Sequence, residues 1–108
     1  MNKLAIVIVS FVSAALAAGA PESYTGTITD SMCLMNHKPM NIKPDSKCAR
    51  ECVRNNKDVK YVLHDGKNTY KLSDQKTPEQ FAAQKVKVTG TLYPKTGVLK
   101  VDRMEAIK

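Results

Sequence analysis

The sequence predicts a mainly-β domain: a small five-stranded barrel with one or two short helices. Three observations predict it. Five segments read as strands, and those at 24–30, 86–92 and 98–107 carry the period of two that a half-buried strand requires. Turn signals such as Asp65-Gly66 and Pro94-Lys95-Thr96-Gly97 join four of these segments into two hairpins. Gly26 and Gly90 stand inside two segments, where a small barrel needs tight bends.

Residues 24–30 form the first expected strand, with Tyr24, Gly26 and Ile28 on one face and Thr25, Thr27 and Thr29 on the other. Residues 32–47 show no period and contain Pro39 and Pro44, so a long loop is expected, and long loops in small domains are often functional. Asp45 or Ser46 is then placed to cap a short helix through Cys48, Ala49, Cys52 and Val53. Asn55-Asn56 is its expected stop, because Asn tolerates the left-handed conformation. Residues 60–64 and 68–72 read as a hairpin about Asp65-Gly66. Thr77-Pro78-Glu79-Gln80 opens a second short helix, with Thr77 as cap and Pro78 in its first position. Val86, Val88, Gly90 and Leu92 define the fourth strand, and residues 98–107 the fifth, whose alternation slips at Asp102-Arg103 as at a bulge. Five strands with a helix between the third and fourth follow the OB-fold order, giving an OB-like domain over residues 21–108 with a loop-helix insertion at 31–56.

Ahead of this domain, residues 1–20 read as a secretory signal peptide. Lys3 supplies the charged start, residues 4–16 an apolar run broken only by Ser10 and Ser13, and Ala17, Ala18, Gly19 and Ala20 a small-residue exit. The run is short of the ~20 residues a membrane span needs, so no stable membrane insertion is expected after cleavage. The cut is expected between Ala18 and Ala20. A cut after Gly19 keeps Pro21 away from the scissile bond. The localisation expected is periplasmic or secreted.

Export makes the three cysteines informative, since outside the cytoplasm thiols are oxidised or metal-bound. Cys33, His37, Cys48 and Cys52 follow the spacing Cys-x-x-x-His, ten residues, Cys-x-x-x-Cys. Residues four apart on a helix share a face, which turns Cys48 and Cys52 the same way, and Cys48 lies near the helix start, where the backbone dipole favours a thiolate. The preceding loop can bring Cys33 and His37 to the same point. Three thiolates and an imidazole suit tetrahedral Zn²⁺, as a structural or metal-handling site, and would staple a domain this small. The alternative is a disulfide of Cys33 with Cys48 or Cys52 and one spare thiol. The domain would then be a binding module, not metal-dependent, for an envelope component or partner protein. Met32, Met35 and Met40 add soft thioethers that would suit Cu(I), but packing over the helix is the expectation, which places copper behind zinc. Covalent haem is not expected without Cys-x-x-Cys-His; haem through His37 alone stays open. Asp30, Asp45 and Glu51 are candidates for hydrogen bonds to His37 or for helix capping, and His64 for a solvated strand end.

The formal charge is +7, spread along the chain. Nucleic-acid binding is not expected, because stacking aromatics are few and the chain is destined for export; a solvated face or weak attraction to an anionic envelope explains the charge better. No catalytic set is evident, so the domain is not expected to be an enzyme, with a thiol redox role left open. Oligomeric state is not legible.

The run at residues 24–33, Tyr-Thr-Gly-Thr-Ile-Thr-Asp-Ser-Met-Cys, with His37, the Cys48/Cys52 pair and Val-Lys-Val-Thr-Gly-Thr-Leu at 86–92, resembles a family of small exported bacterial domains of unknown function. Its members share a Thr-Gly-x-Ile-x-Asp-x-x-Cys start. The short strands are also similar to those of periplasmic OB-fold proteins, some of which bind ligands or copper. The tryptophan of the copper-binding members is missing here. The resemblance implies class and compartment and no particular activity.

Overall fold

The computed structural model describes residues 20–107; the expected signal peptide lies outside them, apart from Ala20. The chain is mainly β, a mixed five-stranded sheet with one α-helix. In order come β1 (Glu22–Asp30), α1 (Asp45–Asn55), β2 (Tyr61–His64), β3 (Thr69–Leu72), β4 (Lys85–Tyr93) and β5 (Val98–Ala106). Each strand has two hydrogen-bonded neighbours, in the order β1-β2-β3-β5-β4 and back to β1. All pairs are antiparallel except β3 with β5. Among the described residues no helix is long and apolar enough to cross a membrane.

The alternation read in β4 sends Val86, Val88 and Gly90 inward, where they are buried, while Lys85 faces out. Ile28, Tyr61, Leu63, Leu72, Val86, Val88 and Leu99 fill the interior, joined by Ala49 from α1 and Ala82. β1 serves two partners: residues 22–27 pair with β4 and residues 27–30 with β2. Gly26 sits where the strand changes partner, and a Cβ there would lie 2.7 Å from the His64 carbonyl oxygen. The glycine therefore permits close backbone approach. The slip expected in β5 is present: Thr89 faces Arg103 and Gly90 faces Val101, which leaves Asp102 as the extra residue of a bulge.

Three local expectations are corrected. The residue before α1 is Pro44 and no side chain caps the helix; Asp45 is its first residue. Asn56 ends α1 with extended dihedrals, not left-handed ones, and its Oδ1 accepts the Asp58 N–H. The second helix is a single 3₁₀ turn, Thr77–Phe81, flanked by Lys76 without a cap from Thr77. Asp74 does that work, its Oδ1 accepting the N–H groups of Lys76 and Thr77 at 2.9 and 3.0 Å.

Burial alone would push the Asp74 carboxyl up, but the hydrogen bonds from Thr77 and Lys76 outweigh it and hold it below the usual carboxylate range. A depressed folded-state pKa contributes stability that is present above the unfolded value, ~3.9, and lost as pH falls through the folded one. Asp74→Ala is expected to cost ~1 kcal/mol at pH 7, with the difference from wild type shrinking in acid, at pH values below the ordinary carboxylate range. Urea unfolding at pH 7 and in acid checks this, and an equal deficit in both would contradict it.

Candidate metal centre

The end of β1, the loop after it and one face of α1 build the site. Thr29 and Asp30 break the in-out alternation of β1, both being buried because the loop folds back over the strand end. Asp30 starts the fold-back: its Oδ1 accepts the N–H groups of Met32 and Cys33 at 3.0 and 2.7 Å, and its backbone oxygen that of Leu34. Leu34 takes a positive φ of 53° to complete the reversal, as does Asn41 beyond His37. Non-glycine residues adopt this region at a cost, and such strain gathers at functional loops.

On α1, Cys48, Ala49 and Cys52 form the buried face. Ala49 joins the main core, whereas Cys48 and Cys52 join Val59 in a smaller cluster flanked by Cys33, Ile42 and Val53. The sulfurs of Cys33, Cys48 and Cys52 all lie within 4.8 Å of one another, and the three cysteines are free. Ligand sulfurs of a tetrahedral zinc, each ~2.3 Å from the ion, stand ~3.8 Å apart. Only a small contraction separates this cluster from that geometry.

His37 does not fall within this group of three. It belongs to a second group with Cys33 and Asp30, whose ligand atoms also lie within 4.8 Å of one another. The four residues expected to act together are thus distributed over two triads that share Cys33. Asp30 was legible only as a partner for His37 or a cap. The signal for more was its place at a strand end, three residues before a cysteine.

The electrostatics of the cluster oppose anionic sulfur without a cation. Burial, then the Asp30 carboxylate and the neighbouring sulfurs, push the Cys33 thiol up to about 12. Burial and Cys52 raise Cys48. The expectation that the helix dipole favours a Cys48 thiolate is therefore overturned: desolvation and a neighbouring thiol outweigh it. A divalent ion would reverse the balance, because thiols deprotonate on binding one.

The methionines do not pack as expected. Met32, Met35 and Met40 are 50%, 57% and 40% exposed. His64 lies apart from both triads, its Nδ1 2.9 Å from the Thr69 hydroxyl, as a strand-end residue. Elsewhere, Tyr24 and Tyr70, with ring centroids 5.4 Å apart, line a cleft of about 540 Å³ with Lys67 and Lys85. No protein-family model, curated protein or solved structure matches the chain.

Proposed function

We propose that this chain is an exported, OB-like domain that holds metal through Cys33, Cys48 and Cys52, for a structural or metal-handling purpose and without enzymatic activity. The convergence of three sulfurs within 4.8 Å, inside a small apolar cluster, carries the reading. Zinc comes first, because three thiolates with a further ligand suit its tetrahedral preference. Copper comes second, and the exposed methionines near the loop are its support. The strand order β1-β2-β3-β5-β4 with a closing β4-β1 pair supports the OB-like description. The charged, apolar and small-residue parts of residues 1–20 support export.

Metal analysis of the purified chain, with a count of alkylatable thiols, tests the proposal. Bound metal with Cys33, Cys48 and Cys52 protected from alkylation is the expected result. A metal-free chain with one reactive thiol would instead establish the second reading, a disulfide-stabilised module for an envelope component or partner protein. The same sulfur proximity would serve Cys33 bridging to α1, and the tyrosine-lined cleft would offer a ligand site. Thiol–disulfide exchange abolished by Cys48→Ser would point to redox chemistry.

A further inference from the structure

The second triad has an electrostatic problem that one ion at the three sulfurs does not solve. Asp30 is fully buried and His37 is 7% exposed. Asp30 Oδ2 and His37 Nδ1 face each other at 3.7 Å, and neither has a hydrogen-bond partner. Their neighbours assign the imidazole proton. The Thr29 hydroxyl donates to the Leu34 carbonyl, so its oxygen is left to accept from His37 Nε2–H, 3.1 Å away. In the neutral ring Nδ1 then carries a lone pair, directed at a carboxylate oxygen. Two buried acceptors in that arrangement need a cation between them, a proton or a metal ion. The separation is long for a hydrogen bond, but two ligands of one tetrahedral ion at ~2.1 Å each stand ~3.4 Å apart. Cys33 Sγ completes the triad within 4.8 Å.

We propose that Asp30, His37 and Cys33 bind a second divalent cation, and that Cys33 bridges it to the ion held by Cys33, Cys48 and Cys52. The inference rests on the metal-binding reading and extends it to a two-ion centre. Charge supports it. In the loaded site three thiolates and one carboxylate carry four negative charges in a largely buried space, and an imidazole bound through its lone pair adds none. One divalent ion leaves two of those charges uncompensated, whereas two divalent ions cancel all four, which a buried site strongly favours. The same count favours zinc-like divalent ions over Cu(I), two of which would leave a net charge of −2. Thr29 has a defined part: by accepting from Nε2–H it presents Nδ1 as the ligand atom, as partners of metal-bound histidines do.

Titration of the reduced, metal-free chain with Co²⁺, followed by visible absorption and electron paramagnetic resonance, tests this, with Zn²⁺ stoichiometry by elemental analysis alongside. The expected result is two ions per chain. The resonance signal of the first Co²⁺ should fall as the second binds, because a shared thiolate couples their spins. Asp30→Asn keeps the Oδ1 acceptor for Met32 and Cys33, and His37→Gln keeps an amide donor for Thr29. Each should bind one ion and retain thiolate-to-cobalt absorption. One ion in the wild type, with three protected thiols, overturns the two-ion centre and leaves the metal-binding reading standing. Two ions in both variants also overturn it, since the second would then lie elsewhere. No ion in any of the three chains sinks the underlying reading itself.

Discussion

With zinc held as proposed, stripping it with a chelator is expected to lower the thermal unfolding midpoint by about 15–30 °C. The figure follows from the smallness of the core and from linkage. A ligand that binds only the folded state, present at a thousandfold excess over its dissociation constant, contributes ~4 kcal/mol. In a domain of this size each kcal/mol moves the midpoint by ~4–8 °C. The loop of residues 31–44 has no regular structure beyond the 3₁₀ turn Lys38–Met40, and its Cys33 and Ile42 pack against the cluster that Cys48 and Cys52 of α1 form with Val59. Removing the ion there takes away the link that ties the loop's Cys33 to Cys48 and Cys52 of α1. Cys48→Ser and Cys52→Ser should lower the midpoint similarly and make the chelator nearly silent. A melt monitored by circular dichroism, with and without chelator, reads the effect; a midpoint unmoved by chelation in the wild type would contradict it. Acid should act in the same direction. Cys33 and Cys48, both raised above the ordinary thiol value by burial, release about two protons when an ion binds, so apparent affinity falls up to about a hundredfold for each pH unit of acidification. A single free thiol beside a disulfide could release only one.

β4 was legible because its burial follows the simplest periodic rule. Val86 and Val88 alternate with Lys85 and Lys87, and even the irregularity at Asp102 showed as a slip in the pattern. The ends of the helices were less legible. Which side chain caps a turn depends on where the chain enters it, and the entry at Pro44 and the acceptor at Asp74 are tertiary outcomes. The three sulfurs could be anticipated from helical spacing plus a loop. The position of His37 could not, because it depends on the reversal at Leu34 and on the Thr29 hydroxyl, neither of which leaves a mark in composition or period. For the same reason Asp30 read as a strand end, although it lies at the centre of the fold-back and is wholly buried.

Gly90→Ala is expected to destabilise the domain by ~3 kcal/mol or more, the largest effect of the glycine-to-alanine changes among the described residues. A Cβ at Gly90 would lie 2.0 Å from the Lys100 carbonyl oxygen and 3.0 Å from its carbon. Both are backbone atoms, so no side-chain rotation relieves the overlap. Lys100 pairs with Thr91, next to the bulge that makes room for Asp102, and the two strands must separate to admit the methyl. That separation stretches ladder hydrogen bonds and loosens Val88 and Leu99, both fully buried. Gly26→Ala meets backbone at 2.7 Å and should cost less, ~1–2 kcal/mol, because a smaller shift of the His64 peptide accommodates it. Gly66 is the control for backbone conformation. It has a φ of +101° but nothing within 4 Å of an added Cβ, so Gly66→Ala tests strain without overlap and should cost ~1 kcal/mol. Chemical denaturation of the three variants orders them as Gly90, then Gly26, then Gly66. If Gly90→Ala unfolds within 0.5 kcal/mol of wild type, about the scatter of an ordinary surface change, then β4 and β5 are not as closely apposed at the bulge as the structure places them.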